Sequence, residues 1–82
     1  MFAEKERLCK KMSSCFRATR KQLGITQEEM AERLDIATRS YSDLEHGKCL
    51  CSTVVFLRYM RIQGKDALEL LEELEALLLW DN

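Results

Sequence analysis

The chain has no proline and only three glycines, and each glycine follows a stretch of apolar residues with helical spacing. An all-β sandwich or barrel turns the chain about every 8–12 residues and needs many more breakers. A chain of 82 residues punctuated at Gly24, Gly47 and Gly64 is expected to form a single all-α domain over residues 1–82, with helices joined by short turns. With 46% of its residues hydrophobic it has enough apolar surface to fold, which excludes a disordered chain.

Five helices are expected, over about residues 4–23, 27–34, 37–46, 53–63 and 67–80. In the first, Leu8, Met12, Cys15, Phe16, Thr19 and Leu23 recur mostly at steps of three and four, the period of one helix face, and Gly24 provides a left-handed cap. The second opens on Thr26, with Glu29 three residues on, which is a capping box; Met30, Ala31 and Leu34 form its inner face. The third turns Tyr41 and Leu44 inward, with Ile36 just before it, and stops at Gly47. Ser52 caps the fourth, whose apolar residues are Val55, Phe56, Tyr59, Met60 and Ile62. The fifth starts at the N-cap Asp66 and needs one core stripe: Ala67, Leu70, Leu71, Leu74, Leu77 and Leu78. Leu68, Leu79 and Trp80 exceed that stripe, and such excess predicts a homodimer interface on this helix.

No apolar run has the length needed to cross a bilayer, and residues 1–11 lack the apolar segment of a secretion signal, so a cytoplasmic location is expected. Cys9, Cys15, Cys49 and Cys51 then read as free thiols. Cys49 and Cys51 lie near His46, but no second ligand pair stands at zinc-like spacing, so neither metal nor other cofactor is expected. A single histidine beside a cap glycine, without a phosphate-cradling loop, gives no catalytic constellation.

The net charge of −1 hides an asymmetry. Residues 1–24 hold seven Lys or Arg against two Glu, whereas residues 65–82 hold one Lys against six acidic residues. The chain can therefore present a basic face and an acidic one, and the basic face is what a polyanionic partner would require.

The most informative segment is TQEEMAERLDIATRSYSDLE, from Thr26 to Glu45. A small residue, Ala31, lets two helices cross closely, and Leu34, Ile36, Tyr41 and Leu44 pack them as a unit around a turn at Asp35. Thr26-Gln27-Glu28-Glu29-Met30-Ala31-Glu32-Arg33-Leu34, then Ile36, then Leu44-Glu45-His46-Gly47-Lys48, resembles the phage-repressor family of helix-turn-helix domains, the Cro/C1 or XRE type. The resemblance covers roughly residues 12–62. It implies a five-helix, lambda-repressor-like DNA-binding domain whose third helix enters the major groove, usually in a dimer that meets two half-sites. Three positions depart from the family pattern: Asp35 stands where the turn usually has glycine, Ala37 replaces a Ser or Thr N-cap, and Cys49-Leu50-Cys51 replaces a segment that typically contains proline.

The resemblance assigns roles. Gln27 approaches a phosphate and braces the recognition helix, while Thr38, Arg39, Ser42 and Asp43 face base edges. Arg39 is the foremost reader, since a guanidinium binds guanine bidentately. Asp43 either accepts from a cytosine amine or repels phosphate, and Lys48 reaches toward phosphate. Arg20 and Glu45 correspond to a structural ion pair of the family. Lys10, Lys11, Arg17 and Lys21 either add to phosphate attraction or form a solvated helix face. The function expected is that of a sequence-specific regulator of transcription on double-stranded DNA, acting as a repressor. The alternative is a protein-interaction module on the same fold, antitoxin-like or polymerase-associated, for which the near-neutral charge and acidic recognition helix argue.

Overall fold

The computed structural model of the protein describes residues 2–64 and 67–79, with the side chains of all of these except Phe2, Leu78 and Leu79. Among the described residues there are five helices and no strand: α1 (Phe2–Leu23), α2 (Gln27–Leu34), α3 (Thr38–Glu45), α4 (Thr53–Gln63) and α5 (Ala67–Leu79). α1 packs on α3 and α5, α2 packs on α3 and α4, and α4 touches α5. The expected cap Asp66 and the expected interface residue Trp80 lie outside the described residues, as does the side chain of Leu79.

Local chemistry sets the boundaries. Thr26 Oγ1 accepts from the Glu29 backbone N–H at 3.1 Å, and Glu29 Oε1 accepts from the Thr26 N–H at 3.0 Å, which closes the capping box. Ser52 Oγ likewise accepts from the Val55 N–H at 3.2 Å and opens α4. Asp35 takes the left-handed conformation at φ 57°, ψ 47°, and so performs the turn that a glycine makes without steric penalty. Arg58 of α4 fastens this turn from outside: Nη1 donates to the Leu34 carbonyl at 3.0 Å, and Nη2 lies 3.8 Å from Asp35 Oδ2.

The core draws on every helix. Met12 and Phe16 of α1, Met30, Ala31 and Leu34 of α2, Tyr41 and Leu44 of α3, Val55 and Tyr59 of α4, and Leu70 of α5 are all buried together. Phe16 lies between two tyrosines, edge-on to Tyr41 with centroids 5.9 Å apart and tilted against Tyr59 at 4.6 Å. Each phenol hydroxyl is satisfied. Tyr41 donates to the Phe16 carbonyl at 3.3 Å, while Tyr59 shares a hydrogen bond with Thr19 Oγ1 at 2.8 Å and accepts from Gln63 Nε2 at 2.7 Å. Burial pushes the Tyr59 phenol up to about 12.

The structure corrects several sequence expectations. α1 begins at Phe2, not near residue 4. α3 is shorter than 37–46, because Ala37 is extended and serves as its N-cap while His46 is its C-cap. Leu23, expected in the core, is 43% exposed in the last turn of α1. Leu71 belongs to the expected inward stripe of α5 but is exposed; among the described side chains of that stripe, Leu70 is buried and Ala67, Leu74 and Leu77 are half-buried. Conversely, Cys9 and Ser13, which stand outside the expected apolar stripe of α1, are buried.

Ala37 sits in cap geometry, φ −66° and ψ 147°, without a side-chain hydrogen bond to α3. Ala37→Ser is expected to stabilise the protein by about 1 kcal/mol, read as a higher urea midpoint at unchanged m-value. An unchanged or lower midpoint would show that the α3 amides gain nothing from a capping hydroxyl.

Candidate nucleic-acid interface

The chain from Thr26 to Lys48 forms two crossed helices with one face closed by the core and one face open. Tyr41 and Leu44 are buried on the inner side of α3, whereas Thr38, Arg39 and Ser40 are exposed on its first turn. Ser42 and Asp43 are half-buried and already engaged. The Ser42 carbonyl lies 2.7 Å from His46 Nδ1, with Ser42 Oγ 3.3 Å from the same nitrogen, and Asp43 Oδ1 lies 3.8 Å from Lys48 Nζ. Gly47, at φ 70°, lets the chain leave α3, and the Lys48 N–H donates back to the Asp43 carbonyl at 3.0 Å. The Lys48 side chain stays largely exposed.

Behind α3 stands a polar lock. Arg20 of α1 grips Glu45 with two hydrogen bonds, Nε to Oε2 at 2.6 Å and Nη2 to Oε1 at 3.1 Å, and its Nη1 donates to the Ile25 carbonyl at 3.1 Å. The bidentate geometry is the strong form of this pairing. Gln27 Nε2 donates to Glu45 Oε1 at 3.3 Å, which directs the Gln27 amide at the lock and ties the start of α2 to the end of α3. Arg17 Nη2 donates to the Glu45 carbonyl at 2.8 Å and so caps the C-terminus of α3, where backbone carbonyls lack helical partners. Sequence spacing gave no signal for that cap, since it joins residues 28 positions apart.

Burial pushes the Glu45 carboxyl up, but the Arg20 hydrogen bonds, the neighbouring Tyr41 phenol, the Gln27 hydrogen bond and the Arg20 charge outweigh it and hold the carboxyl below its usual range. The same hydrogen bond raises Arg20. Burial first, and then the neighbouring Glu45, push the Tyr41 phenol well above its ordinary value.

The basic residues of α1 divide. Lys11 is paired with Glu73 of α5 at 2.6 Å, and Arg17 is spent on the α3 cap; Lys10 and Lys21 remain exposed on the side of α1 that carries Arg17. On the other side of the helix-turn-helix, an open groove at the α2–α3 turn is lined by Glu28, Glu32 and Asp35 beside Thr38. The candidate surface is therefore mixed in charge: Arg39 and Lys48 are cationic, and acidic residues flank them. Among the described residues, no group of three or more His, Cys, Asp or Glu is placed to hold a metal ion, the four cysteines are free thiols, and no helix is long and apolar enough to cross a membrane.

A family model described as a helix-turn-helix domain matches residues 14–79. An "Uncharacterized HTH-type transcriptional regulator" from Methanothermobacter thermautotrophicus is 36% identical over 58 residues, which cover 71% of this chain and 84% of that protein. No solved structure matches the chain.

A carboxylate held below its ordinary pKa stabilises the fold above its unfolded value of about 4.3, and that contribution is lost as pH falls through the lower folded value. Glu45→Gln is expected to unfold about 2–3 kcal/mol more easily than wild type at pH 7, since it leaves Arg20 without its counter-charge. The gap should narrow as pH falls below the unfolded carboxylate value of about 4.3, where wild type begins to lose the same contribution. Denaturant titrations at pH 7 and pH 3.5 check this; a gap of equal size at both would remove the charge from the account.

Proposed function

The chain belongs to the helix-turn-helix family of DNA-binding regulators, and from that premise we propose that it is a sequence-specific, cytoplasmic repressor of transcription that binds double-stranded DNA as a homodimer. The observation that carries this reading is the division of α3. Its inner face is committed to the core through Tyr41 and Leu44, while Thr38 and Arg39 are exposed on the first turn. A helix so divided offers base-reading groups to a groove without unfolding anything.

Within the proposal, Arg39 reads a guanine, Thr38 and Ser42 donate to bases or phosphate, and Lys48 contacts phosphate. Asp43 lies near Lys48 and contributes less as a base reader than as a partner that orients it. Gln27 acts chiefly as a brace through Glu45. Lys10 and Lys21 add to the long-range attraction of the duplex. Few cations face the duplex from one protomer, so two half-sites must act together for useful affinity. Leu68, exposed on α5, is proposed for that pairing together with Leu79 and Trp80, whose side chains lie outside the described residues.

One observation favours the second reading, a protein-interaction module: the acidic groove formed by Glu28, Glu32 and Asp35 lies beside the recognition helix and would repel phosphate. The two readings differ in salt dependence. Duplex binding should weaken steeply as salt rises, and a flat response down to low salt would favour the interaction module.

Selection of bound sites from random duplex DNA should return one preferred motif. Arg39→Ala should relax preference at one base pair by about 5–150-fold, the equivalent of about 1–3 kcal/mol. Lys48→Ala should weaken all sequences alike and lower the salt slope by about 1. An Arg39→Ala protein that selects the same motif with the same stringency would take Arg39 out of the reading role.

A further inference from the structure

α4 and α5 each turn one face outward, and the two faces carry the same pattern with opposite charge. On α4, Val54, Leu57, Arg58 and Arg61 stand at i, i+3, i+4 and i+7, a single helix face. On α5, Leu68, Leu71, Glu72 and Glu75 stand at the same spacing. In chain order both read apolar, apolar, charged, charged: arginine on one helix and glutamate on the other. The apolar members are uncovered, with Val54 54%, Leu57 62%, Leu68 66% and Leu71 40% exposed. Four of the six exposed large apolar side chains among the described residues lie on these two faces, so the exposure is concentrated and not scattered.

Neither face serves the core. Val55 and Tyr59 are the buried residues of α4, and Leu70 is the buried residue of α5. The α4 face continues into an open groove of about 500 Å³, where Arg33 of α2 and Ile62 join Val54, Leu57, Arg58 and Arg61. Three guanidinium groups therefore line one apolar floor. Arg58 is pre-positioned by its hydrogen bond to the Leu34 carbonyl, which lowers the ordering penalty of a further contact.

We propose that these faces dock on each other between two copies of this chain: the outer face of α5 from one protomer fills the arginine-lined α2–α4 groove of the other, reciprocally about a two-fold axis. The proposal rests on the reading of the protein as a dimeric DNA binder and names the surface that α5 meets. Matching apolar to apolar and arginine to glutamate requires α4 and the partner's α5 to run in the same direction. Val54 and Leu57 then face Leu68 and Leu71 of the partner subunit, while Arg58 and Arg61 face the partner's Glu72 and the partner's Glu75. Reciprocity closes the assembly at two, because both copies use both faces; a one-sided version would leave a face open at each end and grow into a chain. The residues used are separate from Thr38, Arg39 and Lys48, so the dimer keeps both recognition helices free.

Charge reversal in the full chain tests this by sedimentation equilibrium. Wild type should be a dimer. Arg61→Glu and Glu75→Lys should each weaken self-association at least tenfold, and an equimolar mixture of the two should dimerise again, since the reversed pair at 61 and 75 is complementary in one contact and the other contact is native. Leu57→Asp, at an exposed position, should also give a monomer. Circular dichroism melts establish that each variant is folded, and low-salt duplex binding reports separately on the recognition surface. A monomeric wild type would overturn the dimer reading and this proposal together. A wild-type dimer with unaffected variants, or with variants whose mixture does not re-associate, would overturn this interface alone. Docking of an acidic amphipathic peptide in the groove of a monomeric wild type would assign the groove to another protein and overturn the second-copy occupant.

Discussion

Everything that presents α3 to the outside depends on the contact between Arg20 and Glu45. The carboxylate is almost wholly buried, and its oxygens accept from Arg20 and Gln27, while its own backbone carbonyl accepts from Arg17. A buried charge without partners would be severely destabilising, so these donors are a condition of the fold and not an addition to it. They come from α1 and from the first residue of α2. Three helices are therefore oriented at one residue, the last of α3, and the exposed first turn of that helix is aimed from its far end.

Helices α1 to α4 were legible because each has a local physical signal: a capping box at Thr26, a hydroxyl cap at Ser52, and glycines at 24, 47 and 64, all with positive φ. The core was mostly legible as well, since Phe16, Met30, Leu34, Tyr41 and Tyr59 keep the 3.6 period on faces that must meet. Errors came where periodicity has no end marker or no choice of face. Leu23 continues the α1 stripe into its last turn but is exposed there, and α5 has so many leucines that spacing alone cannot say which of them turn inward. Cys9 and Ser13 were missed for the opposite reason, since a small side chain beside the main apolar stripe can be buried against a neighbouring helix without belonging to that stripe. Long-range donors such as Arg17 to Glu45 and Arg58 to Leu34 leave no trace in local spacing. The surface that would meet DNA was placed by resemblance, and Ser42 and Asp43 show its limit: they are half-buried and bonded within the protein, which no motif states.

Charge is distributed by task. Cations on α1 that might have been counted toward a polyanion are partly committed inside the molecule, Lys11 to Glu73 and Arg17 to the end of α3. Acidic residues collect on α5 and around the α2–α3 turn. A net charge of −1 is thus the sum of surfaces with different partners, not the measure of any one of them. In the proposed complex a duplex would meet the cations Arg39 and Lys48, and Glu28, Glu32 and Asp35 beside them would oppose the approach of its phosphates. Repulsion of that kind lowers affinity for every sequence, and it leaves a larger fraction of the remaining binding energy to base contacts.

The turn between α2 and α3 is locally the weakest part of the motif. Asp35 holds a left-handed backbone without being glycine, and Ala37 starts α3 without a capping side chain. Each departure costs about 1 kcal/mol in isolation. The turn nevertheless keeps its form because it is gripped from outside: Arg58 closes the end of α2 at Leu34, and Ile36 packs against the core between the two departures. The crossing of α2 and α3 is thus set by tertiary contacts at both sides of the turn and not by the turn residues themselves. It follows that the recognition helix can tolerate an unfavourable connector only while Arg58 and Glu45 are both in place. The one residue anchors the exit of α2 from the side of α4, and the other anchors the end of α3 from the side of α1.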